Sequence, residues 1–269
     1  MSKILNATVE LAASAASLEG KIALVTGATS TYGIGRVTAI AMAISGAYVF
    51  VTSRDPEKGA DVVSEIVSRG GKASFLRLDV TIEDQWISAI ENVRKKFGQL
   101  DILVNNAGNA ISMPIEEMTL DTVSYLARLN IEGAFMGTTY AWPLLKENGG
   151  VVLDINSTAG QSGSAGGTAY QSSKGGLLGL SMAAAVDGQP YGIRVISVHP
   201  GSTWTPGMER VRQMTRTEYD RSISENGRIP LGYSAESADV ASALVYLASD
   251  EARHITGIEY NIDGGTNAR

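Results

Sequence analysis

Short runs of apolar, often β-branched residues alternate with longer helical patterns along nearly the whole chain. The runs fall at residues 22–26, 47–53, 73–78, 102–104, 151–155, 193–198 and 258–262. Near-continuous apolar strands of this kind are typical of a parallel sheet whose two faces are both covered. The pattern therefore predicts one α/β domain with a doubly wound parallel sheet of about seven strands and helices on both faces.

Helical patterns fill the intervals between these runs. Asp55 is predicted to be an N-cap with Pro56 in the first helical position, and Ser234 is predicted to cap the last long helix. Further helices are predicted over residues 34–45, 119–145 and 170–186. Capping residues of this kind satisfy backbone N–H groups that have no partner inside the helix.

We see no internal repeat and no linker, so the domain is expected to span residues 18–269. Residues 1–17 are expected to form an N-terminal arm. Residues 202–233 lack a strand pattern over a long interval, and such segments are often functional. We therefore predict that residues 202–233 form a substrate lid.

Composition excludes several kinds of protein and site. The chain has no cysteine and only two histidines, His199 and His254, which argues against disulfides and against a metal site. The net charge of −6 without a basic run argues against nucleic acid as a partner. No apolar run reaches the length of a membrane span, and the N-terminus lacks the pattern of a signal peptide. A cytoplasmic protein with a small-molecule substrate is expected.

A glycine-rich loop follows the first predicted strand. It begins at Gly27, ends in Gly33-Ile34-Gly35 and leads into a helix. Glycines let the backbone approach a pyrophosphate, and the helix N-terminus offers free N–H groups to it. The alternative is an ordinary strand–helix turn, but the position after the first strand favours a dinucleotide site in a Rossmann domain.

The end of the second strand bears on the choice between NADP and NAD. Ser53 and Arg54 stand there, and a hydroxyl with a guanidinium suits the 2′-phosphate of NADP. Asp55 is the nearest acid, but its side chain is expected to be used as a helix cap. We predict NADP as the preferred cofactor. The alternatives are that Arg54 lies solvated over the adenine, or that Asp55 reaches the ribose of NAD.

Five short patterns occur in the order found in the short-chain dehydrogenase/reductase family, which the chain resembles from about residue 18 to residue 265. They are the glycine loop, Asn105-Asn106-Ala107-Gly108, Ser157, the pair Tyr170-x-x-x-Lys174, and Pro200-Gly201. The resemblance implies an NAD(P)-dependent oxidoreductase that interconverts a secondary alcohol and a ketone by hydride transfer. It also implies a homotetramer.

The resemblance implies roles for individual residues. Tyr170 would be the acid–base, and its pKa of about 10 would have to fall by roughly 3 units to reach neutrality, with the Lys174 ammonium one turn away supplying much of that change. Ser157 would hold the substrate oxygen, and Asn130 would hold a water that links Lys174 to solvent. Besides Ser53, Arg54, Tyr170 and Lys174, the expected cofactor contacts are Gly27, Gly33, Ile34, Asp79, Val80, Asn106, Ala107, Thr203 and Thr205.

Two departures from the family pattern and two alternative functions remain to be considered. Five residues separate Gly27 from Gly33 where three are usual, which is similar to enoyl-thioester reductases, although those have a wider Tyr–Lys separation. A non-catalytic NADP sensor is the other alternative, but it would be expected to lack Tyr170 or Lys174. Ile196-Ser197 stands where the family often has an asparagine, and we assign it no function.

His199 is expected to be a hydrogen-bonded core residue rather than a general base.

Overall fold

A parallel sheet runs through the centre of the chain, of which the computed structural model describes residues 9–10, 12–13 and 16–268. Its strands are β1 Ile22–Val25, β2 Tyr48–Ser53, β3 Lys72–Arg77, β4 Ile102–Asn105, β5 Val151–Ile155, β6 Arg194–Pro200 and β9 Glu259–Ile262. Two short strands, β7 Thr203–Trp204 and β8 Ala235–Glu236, pair with each other outside this sheet. The order in the seven-stranded sheet is β3-β2-β1-β4-β5-β6-β9. The predicted doubly wound sheet is confirmed.

Helices cover both faces of this sheet. Within the described residues they are α1 Ile34–Ile44, α2 Pro56–Ser68, α3 Glu83–Phe97, α4 Leu120–Ala127, α5 Gly133–Leu145, α6 Thr168–Gly188, α7 Pro206–Arg212, α8 Arg216–Asn226 and α9 Ser237–Ala248. One core cluster joins the sheet to α1, α2 and α9 through side chains such as Ile40, Val62 and Leu244. The other joins it to α3, α5 and α6 and includes Trp86 and Leu144. Two apolar interfaces therefore stabilise the domain.

The strand order reverses at β1, which pairs with β2 on one side and with β4 on the other. In an open α/β sheet, connections that leave such a point in opposite directions open a crevice at the carboxyl ends of the strands. The residues that directly follow β4, β5 and β6 lie at this edge. The fold therefore brings Asn106, Asn156 and Gly201 to one side of the molecule.

The helix predicted over residues 119–145 is interrupted. Arg128–Glu132 forms a π-helical turn between α4 and α5. Asn130 lies in this turn and is buried, and its Nδ2 donates to Ser173 Oγ of α6 at 2.9 Å. Such turns often occur at functional sites. The interruption could not be read from hydrophobic spacing, which continues across it.

The segment 202–233 contains two helices that the sequence analysis missed. Thr205 caps α7, and Thr215 with Glu218 forms a capping box at the start of α8. Tyr219, Ile223 and the partly buried Trp204 belong to a small apolar cluster within this segment. The segment therefore has a core of its own, although its role as a lid stays a prediction.

The predicted cap at Ser234 is wrong. The last long helix, α9, begins two residues later than such a cap would place it, with a capping box between Glu236 and Asp239. The N–H and hydroxyl of Ser234 both donate to the Asp220 carboxylate of α8, at 3.0 and 2.6 Å. A tertiary partner thus uses the side chain that the local pattern assigned to the helix.

Most of the predicted N-terminal arm, residues 1–17, lies outside the described residues. Of its described residues, Val9 and Ala12 are buried in the core cluster beside α1, and the Ser45 hydroxyl donates to the carbonyl of Ala13 at 2.8 Å. Among the described helices, none combines the length and the apolar character that crossing a membrane requires.

Candidate active site

A cleft of about 360 Å³ opens at the carboxyl edge of the sheet. Seven of the predicted site residues line it, namely Ile34, Asn106, Ser157, Tyr170, Lys174, Thr203 and Thr205. Asn109 and Arg212 also line it, and no local sequence pattern distinguished them. The other predicted residues lie outside this lining. Helix α6 carries Tyr170 and Lys174 one turn apart, so both side chains reach the cleft from one face of the helix.

Lys174 is buried at the base of the cleft. Its Nζ donates to the Ile155 carbonyl at 2.8 Å and lies 6.0 Å from the centre of the Tyr170 ring. Burial lowers the pKa of Lys174 to about 8, and the charge of Asp154 opposes this lowering. Lys174 therefore changes charge near neutral pH rather than far above it.

The Tyr170 hydroxyl is held in its neutral form. Burial raises the pKa of Tyr170 above its usual value, and a hydrogen bond with Ser157 opposes that rise. Desolvation is the larger of these two effects, so the lowering of the Tyr170 pKa towards neutrality is not seen in this structure and stays a prediction. A neutral phenol is the form that donates a proton to a carbonyl oxygen.

Ser157 follows β5 and begins a short turn, Thr158–Gly160. Its Oγ accepts a hydrogen bond from the Ala159 N–H at 3.1 Å, which fixes the position of the oxygen. Ser157 and Tyr170 both line the cleft, and their hydroxyls are close enough to interact. Two hydroxyls at one point can both donate to a single substrate oxygen.

Asn130 is held firmly behind Lys174. Its Nδ2 donates to the Asn109 carbonyl at 3.0 Å, and its Oδ1 accepts from the Asn109 N–H at 3.0 Å. A methyl group built on Gly108 would lie 3.0 Å from Asn130 Oδ1 and 3.7 Å from Lys174 Nζ. Gly108 therefore leaves room between the two groups, and the water relay through Asn130 stays a prediction.

Asp154 is an ionisable residue next to this site that the sequence analysis missed. It is buried in β5, and it accepts hydrogen bonds from Asn105 Nδ2 at 2.8 Å and from Ser181 Oγ at 2.6 Å. Burial raises its pKa, while those hydrogen bonds and Lys174 lower it. The available signal was a single acid inside an otherwise apolar strand, which is costly unless the acid has partners.

The glycine loop fits a dinucleotide. Gly27 has a φ of +62°, and a Cβ there would lie 2.9 Å from the Cα of Ala107. A Cβ on Gly35 would lie 2.3 Å from Asn106 Nδ2, which donates to the Thr26 carbonyl at 2.7 Å. Helix α1 begins after Gly33 with no side-chain cap, so its first N–H groups remain for an anion. The loop therefore has the close backbone approach and the donors that a pyrophosphate needs.

At the other side of the cleft, Thr203 and Thr205 have local partners of their own. The Thr203 hydroxyl donates to the Gly201 carbonyl at 3.3 Å, and Thr205 Oγ1 accepts from the Met208 N–H at 3.2 Å. Thr205 still has its own hydroxyl hydrogen to donate. Both residues fit the expected contacts to a nicotinamide carboxamide, which stay predictions.

The end of β2 shows which side chains are free for a ribose or its phosphate. Asp55 caps α2 as predicted, accepting from the N–H groups of Glu57 and Lys58 at 3.1 and 3.2 Å. Arg54 is exposed, and its guanidinium lies 3.9 Å from the Asp79 carboxylate. The Ser53 hydroxyl donates to the Asp55 carbonyl at 3.1 Å. Arg54 is thus the freest of these groups.

Two further predicted cofactor residues follow β3. The Asp79 carboxylate accepts from the Thr81 N–H at 3.0 Å. Val80 is buried, and its carbonyl accepts from Trp86 Nε1 at 3.0 Å. Asp79 therefore stands near Arg54, whereas Val80 faces the core, and contact of either with an adenine stays a prediction.

His199 is a buried residue with both ring nitrogens in hydrogen bonds. Its Nδ1 lies 2.9 Å from the Ser157 carbonyl oxygen, and its Nε2 lies 2.8 Å from Ser197 Oγ. Burial lowers its pKa. The expectation of a hydrogen-bonded core histidine is confirmed.

Comparison with known proteins gives extensive matches. A family model described as Enoyl-(Acyl carrier protein) reductase matches residues 27–267. Cyclopentanol dehydrogenase of Comamonas sp. (strain NCIMB 9872) is 35% identical over 249 residues, which cover 92% of this chain and 97% of that protein. The 3beta-hydroxysteroid dehydrogenase of Mediterraneibacter gnavus is 35% identical over 262 residues, which cover 91% of this chain and 94% of that protein. A solved structure of 7 alpha-hydroxysteroid dehydrogenase, complexed with NADH and 7-oxo glycochenodeoxycholic acid, has a TM-score of 0.85 at 31% identity and covers 93% of this chain and 95% of that one.

The matched region includes the glycine loop, the cleft and the pair Tyr170 and Lys174. Relatives with these levels of identity extend over more than nine tenths of the chain. The fold and the sequence thus lead to the same family. The chain belongs to the short-chain dehydrogenase/reductase family.

Proposed function

We propose that this NAD(P)-dependent oxidoreductase, which acts on CH–OH groups, interconverts a cyclic secondary alcohol and its ketone. The observation that carries the proposal is the cleft that Ser157, Tyr170 and the buried Lys174 line together. The relatives support a cyclic substrate, because one of them acts on cyclopentanol and others act on hydroxysteroids, as their names state.

In ketone reduction, Ser157 and Tyr170 would both donate hydrogen bonds to the carbonyl oxygen. Tyr170 would then transfer its proton to that oxygen as negative charge develops on it. The nicotinamide cofactor supplies the hydride when bound. Lys174 would stabilise the phenolate left on Tyr170, because an ammonium favours a nearby anion. Alcohol oxidation would use the same groups in reverse.

NADP as the preferred cofactor is part of the proposal. The cap formed by Asp55 supports it, since the carboxylate that would accept from the ribose 2′-OH of NAD is already bonded to two N–H groups. The exposed Arg54 at the same strand end offers a cation for the 2′-phosphate. The solved relative with NADH shows that the family also uses NAD.

The test is reduction of cyclopentanone and a 7-oxosteroid with NADPH and with NADH, followed by absorbance. Tyr170→Phe should lower turnover by at least about 100-fold because the positioned proton donor is lost. Its affinity for NADPH should stay unchanged in a fluorescence titration. Near-normal turnover by this variant would overturn the proton-transfer role.

The same assay separates the alternatives. Oxidation of NADPH by an enoyl thioester, with no turnover of ketones, would favour the enoyl reductase. Tight NADPH binding without turnover of any substrate would favour a sensor. The enoyl reading is the weaker one, because the named relatives are alcohol dehydrogenases and Tyr170 and Lys174 keep a separation of four.

A homotetramer is also proposed. Helices α4, α5 and α6 expose large apolar side chains, including Tyr125, Phe135, Met182 and Val186. Monomeric proteins rarely expose large apolar surfaces without a use for them. Copies of the same chain are the occupants that we propose for this surface.

A further inference from the structure

Three buried polar side chains lie directly behind Ser157, and the catalytic set does not include them. Asn156 follows β5, while Ser197 and His199 lie two residues apart on the neighbouring strand β6, so their side chains share one face of it. Their exposed fractions are 4%, 1% and 0%. Buried polar groups are costly unless they are hydrogen-bonded, so their partners indicate what they do.

Their hydrogen bonds form a closed loop that begins and ends on the backbone of Ser157. The Ser157 N–H donates to Asn156 Oδ1 at 3.0 Å, and Asn156 Nδ2 donates to Ser197 Oγ at 3.1 Å. Ser197 Oγ lies 2.8 Å from His199 Nε2, and His199 Nδ1 lies 2.9 Å from the Ser157 carbonyl oxygen. Both polar groups of the Ser157 backbone are therefore held by this loop.

The direction of every bond in the loop follows from the chemistry of its members. A carbonyl oxygen only accepts, so Nδ1 of His199 must carry a hydrogen. Burial lowers the pKa of His199 although the Glu259 carboxylate, 4.0 Å from Nε2, opposes this, so the imidazole is neutral, Nε2 accepts and the Ser197 hydroxyl is its donor. The lone pairs of Ser197 Oγ then accept from the amide of Asn156. The loop has one arrangement of donors and one histidine tautomer.

Of the pair Ile196-Ser197, to which no function was assigned, Ser197 belongs to this loop and Ile196 to the apolar core. Ser197 is the link between the amide of Asn156 and the ring of His199. A residue without a hydroxyl would leave Nε2 of a fully buried imidazole without a partner. Such an orphaned acceptor costs on the order of 1–3 kcal/mol.

We propose that Asn156, Ser197 and His199 are positioning residues that hold the hydroxyl of Ser157 at the point where the substrate oxygen binds. The proposal rests on the proposed alcohol–ketone activity. The loop fixes the backbone of Ser157 at both its N–H and its C=O. The hydroxyl oxygen Oγ is bonded to the Cβ of this residue, so its position follows that of the backbone. A misplacement of about 1 Å at a reacting group can cost as much as 100-fold in rate.

The test compares His199→Leu with His199→Asn. Leucine has no donor, so the Ser157 carbonyl keeps only the Gly160 N–H at 2.9 Å, whereas the amide nitrogen of asparagine is attached to Cγ, as Nδ1 is, and can replace it. We expect His199→Leu to lower kcat by about 10-fold to 100-fold with the affinity for NADPH unchanged, and His199→Asn to recover most of the loss. Equal kcat values for the two variants would overturn the proposal.

A double-mutant cycle with Ser157→Ala shows whether His199 acts through Ser157. In that background we expect His199→Leu to change kcat by less than about twofold, because there is no hydroxyl left to position. Full additivity of the two losses would mean a merely structural role and would overturn the proposal. Val195→Ala, another buried position on β6, serves as the control for a general loss of stability.

An independent readout does not need turnover. The chain has two histidines, so ¹H–¹⁵N spectra of the wild type and of His254→Gln identify the ring of His199. We expect a protonated Nδ1 and an unprotonated Nε2 at neutral pH. The other tautomer would overturn the proposal. A wild type that turns over no ketone would overturn the proposed function, and the tautomer would then still show whether the loop exists.

Discussion

At the scale of single residues, Lys174 and Asp154 are two buried ionisable groups, and the charge of each influences the pKa of the other. Lys174 Nζ contacts the Ile155 carbonyl, and the Asp154 carboxylate lies in the same strand, held by Asn105 and Ser181. Burial disfavours the ammonium and the carboxylate alike, while each favours the charged form of the other. Removing one partner therefore changes the protonation of the other.

This pair predicts a pH dependence of kcat/KM. The pKa of Lys174 is about 8, so its charged fraction falls as the pH rises through that value, and kcat/KM should fall with it. Asp154→Asn removes the charge that opposes the lowering, so the fall should move to lower pH. Asp187→Asn, at an exposed position of α6, is the matched control. An unshifted profile in Asp154→Asn would contradict the coupling.

Arg54 predicts the cofactor preference. If its guanidinium meets the 2′-phosphate, Arg54→Ala loses a charge-assisted interaction of about 1.5–3 kcal/mol. NADP should then bind roughly 10-fold to 100-fold more weakly, with little change for NAD. Isothermal titration with both cofactors measures the two affinities, and Lys72→Ala, a cation at the amino end of β3, is the control. A wild type that prefers NAD, with no effect of Arg54→Ala, would show the preference for NADP to be wrong.

At the scale of elements, Asp220 joins α8 to the residues before α9. Its carboxylate accepts from the N–H and the hydroxyl of Ser234, and it pairs with Arg216, whose guanidinium also contacts Glu236. Although partial burial raises the pKa of Asp220, the bonds from Ser234 and Arg216 lower it on balance. The 202–233 segment is thus attached to the domain through this carboxylate.

Loss of this attachment should be measurable as a loss of thermal stability. Asp220→Ala leaves the buried Ser234 without its acceptor, which costs about 2 kcal/mol and lowers Tm by about 5 °C for a chain of this size. Because the folded-state pKa of Asp220 is lowered, its contribution is present above the unfolded pKa and is lost as the pH falls through the folded one. The difference in Tm between wild type and variant should therefore shrink in acid. Calorimetry that shows equal Tm values at neutral pH would contradict the prediction.

At the scale of the whole molecule, the exposed apolar side chains of α4, α5 and α6 predict assembly. Light scattering should give a particle of four times the 28.3 kDa chain mass. Val186→Lys places a charge in this surface and should give smaller particles, because an unpaired charge is costly in an apolar interface. Val67→Lys is the matched control, since Val67 is similarly exposed but lies on α2, at the other face of the sheet. A monomeric wild type would contradict the prediction.

Features that depend on neighbours along the chain could be predicted from the sequence. The seven strands, the cap at Asp55 before Pro56, and the placing of Tyr170 and Lys174 on one helix face all follow from local spacing. The two helices of the segment 202–233 also had local signals, in Thr205 before Pro206 and in Thr215 before Glu218. Those were missed because the segment is mostly polar and lacks a long hydrophobic period.

What only the tertiary structure decided concerns partners far apart in the chain. Ser234 bonds to Asp220 rather than capping a helix, Asn130 sits in a π-helical turn against α6, and the loop from Asn156 through His199 closes on Ser157. The charge states of Tyr170 and Lys174 also depend on the tertiary structure. Desolvation raises the pKa of the partly buried Tyr170 and lowers that of the buried Lys174 only because the folded chain shields both side chains from water. Local backbone preferences are determined by the residues next to each other, whereas burial and long-range hydrogen bonds exist only once the chain has folded.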